Sequence, residues 1–539
     1  MTGTEPGGPT ERTTATLLRS SAVVSVGTAI SRVTGLLRTV VLAAVLGDAI
    51  VADAYNIANT APNVVYDLIL GGVLAATLVP VLVARLSHDD EDAVTAVSTV
   101  LTLVLGALTV VAVLGAPLII RIYTWSLDPV ARAEQEALAV PLLRLFLPQV
   151  FFYGLTALGT ALLHARRRFA LAAFAPIVNN VVVIGVLVWF RQAVAGDLTV
   201  EGITGDTALL WLLGAGTTAG IVAMALVLWP GVRAAGIPIR WNPDVRNPAV
   251  RQILTLSGWT IAYVITNQAG LSVLLALANG SGDGDGSATA WFYAYQFFQL
   301  PYGLFAVAVM TTFLPELAAA YERGDAAAYR ERFVQGVRLI LVVVLPSAVL
   351  LGVLALPLVT VLFERGAFGG AGVELTAGAL VAFAAGLPGF SAYLYVMRGF
   401  YARQDTRTPF WINLAQTALT IALAVPLVAA FDLVGVASAF SAAYTIGGVA
   451  ALAVLRARVG GLASGRAAGA LVRSLVATAA MAAVVAAVAL AIDADGFAAS
   501  LVELALAGVL GLGTYLGVLW ASRSDDLAMV RERLRGRRR

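Results

Sequence analysis

Two arginines, Arg32 and Arg38, lie inside the first long apolar stretch of the chain, in the run Ser31-Arg32-Val33-Thr34-Gly35-Leu36-Leu37-Arg38. An arginine at bilayer depth costs at least ~2.5 kcal/mol on insertion scales, so it normally faces a cavity, a partner or an anionic ligand. Its guanidinium stays protonated and presents a bidentate fork that matches phosphate oxygens. Two such groups suit an anionic substrate handled within the membrane. Arg32 lies about ten residues into its segment, roughly 15 Å deep at ~1.5 Å per residue, too deep for easy snorkelling; Arg38 is nearer the far end and could snorkel. On a straight helix six residues separate the two side chains by about 120°. A shared ligand therefore calls for a bend, and Gly35 is the candidate position.

Other polar residues in apolar surroundings read more blandly. Asp53 begins the second span and could pair with an arginine, serve as a gate or cap a helix at the outer surface. Asp67, deeper, is a candidate partner for Arg32 or Arg38. Gln296, Gln299, Asn179, Asn180, Asn267 and Gln268 are expected to make interhelical hydrogen bonds first and to line a cavity second. Arg403, Asp405 and Arg407 fall in a cytoplasmic loop, where a clamp between helices is expected. Arg144 and Arg398 sit in or near spans without an assignment.

Enzymatic chemistry has little support. The chain has no cysteine, which removes disulfides, thiolate metal sites and thiol catalysis. Its two histidines, His88 and His164, belong to no metal or triad pattern. No phosphate-binding P-loop is present. No cofactor is expected, and energy must come from the membrane potential, an ion gradient or consumption of the product downstream.

The elements that must position the arginines are transmembrane helices. Of 539 residues 59% are hydrophobic and 12% charged, and the mean hydropathy is +0.87. A soluble domain carries about 25% charge. No cleavable signal segment is visible. Spans of about 20 apolar residues are expected at 22–46, 52–84, 97–122, 139–163, 171–190, 208–229, 253–278, 288–317, 334–363, 375–401, 409–430, 434–455, 470–491 and 499–520. With the N-terminus in the cytoplasm, only Arg121, Arg132, Arg191 and Arg365 fall outside. Arg166-Arg167-Arg168, the arginines from Arg233 to Arg251, those from Arg456 to Arg473 and the tail from Arg531 to Arg539 fall inside. The positive-inside rule is obeyed along the whole chain, placing both termini in the cytoplasm.

Landmarks recur about 235–240 residues apart: Val79-Pro80 with Leu314-Pro315, Ala116-Pro117-Leu118 with Leu356-Pro357-Leu358, Leu147-Pro148 with Leu387-Pro388, and Ala165-Arg166 with Ala402-Arg403. The offset covers six spans, an even number, so the copies share one orientation, as in parallel-repeat transporters. The expected fold is an all-α polytopic membrane protein with about 14 transmembrane helices: two parallel-repeat six-helix lobes around a central cavity, plus two C-terminal helices. The expected organisation is a cytoplasmic tail (1–21), an N-lobe (22–229), a linker (230–252), a C-lobe (253–455), a C-terminal helix pair (456–522) and a basic tail (523–539). In the second copy the positions equivalent to Arg32 and Arg38 fall near Val264 and Gly270. The arginines therefore belong to one lobe rather than to the repeat.

The run from Ser31 to Arg38, with Ala52-Asp53-Ala54-Tyr55, Ala61-Pro62-Asn63 and Val79-Pro80-Val81-Leu82, resembles the N-terminal signature of the MurJ/MviN lipid II flippases of the MOP exporter superfamily. Later stretches are similar too: Gly399-Phe400-Tyr401-Ala402-Arg403-Gln404-Asp405-Thr406-Arg407-Thr408-Pro409, Arg168-Phe169 with Ala173-Phe174-Ala175-Pro176 and Asn179-Asn180, and Phe363-Glu364-Arg365-Gly366-Ala367-Phe368. The similarity runs from about residue 15 to 520 and is of an actinobacterial type. It implies a bacterial cytoplasmic-membrane protein that moves lipid II, an undecaprenyl pyrophosphate bearing a disaccharide-pentapeptide, from the inner to the outer leaflet for peptidoglycan synthesis. It implies two bundles plus two extra helices, with Ser31, Gly35, Pro62, Asn63, Arg403 and Asp405 as motif positions. The chain departs from the pattern where the family carries charge: the aligned residues are Thr39, Tyr66, Asp67, Gly71, Gln296 and Gln299.

The resulting expectation is a flippase working by alternating access, with Arg32 and Arg38 binding pyrophosphate and Asp53, Tyr66, Asp67 and Gln296 completing the site. Expected partners are lipid II, membrane lipids and cell-wall synthesis or division proteins, with no nucleic acid. The alternatives are a flippase for another polyprenyl-linked glycan and a non-transporting cell-wall scaffold. A cationic-drug pump would favour cavity acids over arginines. A membrane glycosyltransferase would need a catalytic acid on a large outer loop, which the chain lacks.

Overall fold

The computed structural model describes residues 9–66, 85, 90–166, 168–237, 240–251, 258–282, 286–462, 465–492 and 496–522. Apolar runs of this length leave backbone N–H and C=O groups no partner in lipid except each other, which forces helix. In chain order the helices are α1 (Pro9–Leu46), α2 (Ile50–Tyr66), α3 (Glu91–Leu114), α4 (Ala116–Thr124), α5 (Pro129–Phe146), α6 (Pro148–Ala165), α7 (Ala170–Ala193), α8 (Val200–Gly205), α9 (Thr207–Ala234) and α10 (Gly258–Asn279). They continue as α11 (Ser287–Pro301), α12 (Val307–Glu322), α13 (Ala326–Val353), α14 (Ala355–Phe363), α15 (Gly370–Ala402), α16 (Arg407–Val459), α17 (Gly465–Ile492) and α18 (Gly496–Ala521).

Twelve helical stretches among the described residues are long and apolar enough to cross a membrane. One of them, α16, is two spans joined at Phe431 and Asp432, whose backbone leaves the helical region. Asp432 sits at φ 47, and its carboxylate accepts from the Gly282 N–H (3.2 Å), 150 residues away in sequence. The expected second span starts as α2 and then passes outside the described residues. Among the described residues thirteen spans result, and the fold is all-α and polytopic.

The repeat is visible in how helices break. α3 ends at Gly115 and a nine-residue helix, α4, follows. α13 ends at Leu354 and a nine-residue helix, α14, follows. Proline sits near the start of both short helices, where its missing N–H costs no hydrogen bond. Pro301 instead falls within a continuous helical path. The chain answers with one π-turn, Tyr302–Ala306, before α12 resumes, a known response to a lost i→i−4 bond.

The chain forms two compact units. One comprises Met1–Leu46, Ala54–Arg121 and Arg132–Val264; the other Gly47–Asp53, Ile122–Ala131 and Ile265–Arg539. The first unit has a leucine- and valine-rich core from α3, α6 and α9, with Leu105, Leu158, Leu162, Met224 and Leu228 buried. The second is held by aromatic edges and faces: Trp291, Tyr295, Phe298, Phe383, Phe390, Phe440 and Tyr444 form a chain of rings 4.5–6.0 Å apart. α17 and α18 pair around Met481, Val485 and Tyr515, whose hydroxyl donates to the Val342 carbonyl (2.6 Å) of α13. Large apolar side chains such as Leu114, Leu490 and Trp520 stay three-quarters exposed or more, as lipid-facing positions should.

The loop Arg403-Gln404-Asp405-Thr406 is the clamp expected from sequence. Gln404 turns the chain at φ 59. Asp405 accepts from the Thr408 N–H (3.0 Å) at the start of α16 and pairs with Arg458 (3.0 Å) at its other end. Arg403 lies over the Tyr321 ring at 5.5 Å, and the Tyr329 hydroxyl donates to the Gly399 carbonyl (2.7 Å). Burial alone would raise the Asp405 pKa. The Thr408 backbone and side-chain bonds, the Arg458 charge and the Arg407 N–H outweigh it and hold the carboxyl below the ordinary 3.8. A lowered folded-state pKa stabilises the fold above the unfolded value and is lost as pH falls through the folded one. Asp405→Ala is therefore expected to lower thermal stability by about 1 kcal/mol at pH 7, a cap plus an exposed ion pair. The difference from wild type should shrink below about pH 3.8. Thermal unfolding in detergent across pH 3–8 checks both.

Candidate functional site

The arginines are positioned by a small-residue seam. Gly27, Ser31 and Gly35 recur every fourth residue, so they line one face of α1 and let a neighbour approach closely. That neighbour is α7. A side chain at Gly27 would press on Ala173 and Phe174 at 3.0–3.1 Å. Asn180 of α7 donates through one amide group to the Ser31 carbonyl (3.2 Å) and the Thr34 hydroxyl (3.0 Å). This is the interhelical role expected of Asn180, and it fixes the rotation of α1 about its own axis.

That rotation decides what each arginine faces. Arg38 follows Ser31 by seven residues, about 20° from the packed face; Arg32 follows it by one, about 100° away. Arg38 is accordingly half-buried and Arg32 exposed. Arg38 also lies within electrostatic reach of Tyr55. Tyr55 is fully buried, shares a hydrogen bond with Thr217 of α9 (3.1 Å) and meets the Phe146 ring edge-on at 5.4 Å. Beside it Gln149 donates to Thr218 (3.1 Å), which donates to the Leu145 carbonyl (2.7 Å). The first unit thus carries a polar belt of Tyr55, Gln149, Asn180, Thr217 and Thr218 at the base of its arginine helix. Thr217 and Thr218 were not candidates from sequence; two adjacent threonines inside an apolar span were the available signal.

α1 is helical without interruption from Pro9 to Leu46, so no break in the helix marks the bend expected at Gly35; a β-carbon at Gly35 would sit in ordinary contact with the Asn180 amide, at 3.6 Å. The two arginines lie about 9 Å apart along the axis and about 120° around it. Pro62 and Asn63 are structural: Pro62 is buried, and the Asn63 amide donates to the Asn59 carbonyl (3.0 Å). Tyr66 is the last residue of α2, and its side chain, like all of Asp67 and Gly71, lies outside the described residues. Gln296 is half-buried on α11. Gln299 donates to the Tyr295 hydroxyl (2.7 Å) on its own helix rather than across helices.

Asp53 is fully buried in the second unit, where one carboxylate oxygen accepts from both the N–H (2.7 Å) and the hydroxyl (2.6 Å) of Thr289. Thr289 is in the first turn of α11, where free N–H groups and the helix dipole favour an anion. Asp48, five residues earlier, does the same for α15, accepting from the N–H groups of Gly369 (3.2 Å) and Gly372 (3.0 Å). Its carbonyl presses on Gly286, which sits at φ +75 with no room for a β-carbon. One short segment, Gly47–Asp53, therefore caps two helices more than 230 residues away. Asp48 followed by no sequence signal beyond its place at the end of a span.

A family model described as "Lipid II flippase MurJ" matches residues 42–506. The chain belongs to the MurJ lipid II flippase family. A MurJ relative from Burkholderia cenocepacia is 31% identical over 413 residues, covering 75% of this chain and 77% of that one. A probable lipid II flippase MurJ from Rhizobium tropici is 31% identical over 423 residues, covering 76% and 75%. In structure the chain is similar to a MurJ in an inward closed conformation, with a TM-score of 0.75 at 21% identity over 94% of this chain and 99% of that one. It also shares the fold of a multidrug resistance MATE transporter of the MOP superfamily, with a TM-score of 0.62 at 15% identity over 82% and 98%. MurJ membership makes the chain a multi-pass membrane transporter by family and fold.

Proposed function

We propose that this chain moves lipid II from the inner to the outer leaflet by alternating access, with its pyrophosphate held by Arg32 and Arg38. The observation that carries the reading is a pair of guanidinium groups on one membrane helix of a MurJ fold. Arg32 is exposed, and Arg38 is half-buried within electrostatic reach of Tyr55. Guanidinium forks supply charge-assisted donors to phosphate oxygens and stay cationic in a low-dielectric path. Nothing in the cycle requires bond chemistry, so the protein acts as a transporter rather than an enzyme.

Asp53 and Asp48 fit the same reading as latches. The chain leaves the first unit after Leu46, enters the second through Gly47–Asp53 and returns at Ala54. Rearrangement of that segment must release carboxylates from the starts of α11 and α15. Both termini are placed in the cytoplasm by the arginine distribution, and Arg233–Arg251 links the repeats on that side.

Glutamine at 296, in place of a family cation, favours a second reading in which the cargo is another polyprenyl-linked glycan. The test is outer-leaflet lipid II in cells depleted of their own flippase and supplied with this chain. Restored exposure supports lipid II as cargo. Failure by a well-inserted protein moves the other glycan, or a non-transporting scaffold, ahead.

A further inference from the structure

The first unit holds a cleft of about 340 Å³ away from the arginine helix, between α3, α6 and a strap of chain that follows α9. Its volume lies within the range of small-molecule sites. The floor is apolar: Leu155, Leu158 and Leu162 recur at three- and four-residue spacing along one face of α6. The rim is different in kind, made of Arg240, Trp241 and Trp229. Arg240 is exposed and Trp241 is 69% exposed.

The strap is held in place deliberately. Thr99 of α3, itself buried, donates to the Arg240 carbonyl (3.3 Å) and accepts from the Asn242 N–H (3.1 Å). Both bonds use backbone groups, so the Arg240 guanidinium and the Trp241 indole remain turned to their surroundings. The lining contains a guanidinium and no carboxylate. The nearby Asp244 is occupied locally, accepting from the Arg246 N–H (2.9 Å). Ser98 and Thr102 spend their hydroxyl protons on their own helix (2.7 Å each), which leaves Arg240 as the cationic donor.

An apolar floor with an arginine and two tryptophans at its rim has the chemistry of a lipid seat. Tryptophan settles at the headgroup level, with its ring in the apolar zone and its N–H in the wet one. Arginine binds phosphodiester oxygens through two parallel bonds. The rest of the segment from Arg233 to Arg251 adds to the pull, with three further arginines against one aspartate, and each basic residue near an anionic leaflet contributes about 1 kcal/mol. We infer that this cleft binds one anionic phospholipid of the surrounding bilayer, its acyl chain against the half-buried Leu155 and Trp229 and its phosphate on Arg240. The site is separate from the Arg32/Arg38 pair, and the inference does not depend on which lipid-linked cargo is carried.

The experiment is native mass spectrometry of the full chain in detergent, given phosphatidylglycerol and phosphatidylcholine in equal amounts. Wild type is expected to retain one phosphatidylglycerol in preference. Arg240→Gln should reduce that preference about tenfold, the effect of losing a charge-assisted pair. Thr99→Val, which frees the strap, should reduce it as well. Unchanged preference in Arg240→Gln overturns the inference. So does displacement of the bound lipid by undecaprenyl pyrophosphate with the same Arg240 dependence, which would make the cleft a cargo site. Should a variant fail to fold, quenching of wild-type fluorescence by brominated phosphatidylglycerol carries the test alone. It should exceed quenching by brominated phosphatidylcholine, and most of the excess should vanish in Trp229→Phe/Trp241→Phe. Equal quenching by the two lipids sinks the idea.

Discussion

Arg32→Ala/Arg38→Ala is expected to abolish outer-leaflet exposure of lipid II in flippase-depleted cells, while the protein still inserts in the membrane. Each guanidinium–phosphate contact contributes about 1.5–3 kcal/mol. Losing both corresponds to a drop in cargo affinity on the order of 10²–10⁴-fold. The single variants should separate. Arg32 is exposed, so Arg32→Ala should leave thermal stability within about 0.5 kcal/mol of wild type and reduce transport alone. Arg38 is half-buried beside Tyr55, so Arg38→Ala should lower both. Arg32→Lys keeps the charge but not the fork, and partial recovery is the expected outcome. Full transport by the double variant would remove the pyrophosphate site from α1 and favour the scaffold reading.

The second large effect is at the latch. Asp53→Ala takes a buried carboxylate from the N–H and hydroxyl of Thr289, two bonds to a charged acceptor. About 3 kcal/mol is at stake, since such bonds are worth about 1.5–3 kcal/mol each and part is recovered by water entering the gap. Hydrogen exchange should report it directly: the first-turn amides of α11, Thr289 and Ala290, should exchange on the order of 100-fold faster. Thr289→Val keeps the backbone bond and loses only the hydroxyl, so its effect should be smaller. Asp48→Asn should speed exchange at Gly372 and leave α11 protected. If Asp53→Ala left the α11 amides as slow as wild type, the carboxylate would not be what holds that end of the helix.

Which properties of this protein were legible without coordinates follows from the physics of each. Membrane residence, the many spans and the arginine asymmetry come from hydropathy and charge summed over long windows, where local errors average out. The repeat was legible because proline marks backbone geometry at fixed positions: Pro117 and Pro357 both sit in nine-residue helices that follow a break. The clamp at Asp405 was legible because its main bond is local, to Thr408. Arg32 and Arg38 stood out because intramembrane charge is rare at any register.

What α1 does with those arginines was not legible. Glycine permits a bend at Gly35; in the structure α1 is uninterrupted there and Gly35 faces Asn180 of α7. A glycine's freedom is visible in sequence, but whether it is used for bending or for packing depends on the neighbouring helix. Asp53 shows the same limit. Its motif marked it as a site residue, yet its partner Thr289 lies 236 residues away, and no periodicity encodes a pairing at that distance. Sequence alone determined that this chain spans the membrane many times and carries fixed positive charge within it. Tertiary structure alone decided which side of α1 is packed, which arginine is exposed, and which helices the acids of the Gly47–Asp53 segment cap. Those are relations between elements, set by how side chains interdigitate rather than by what each segment prefers on its own.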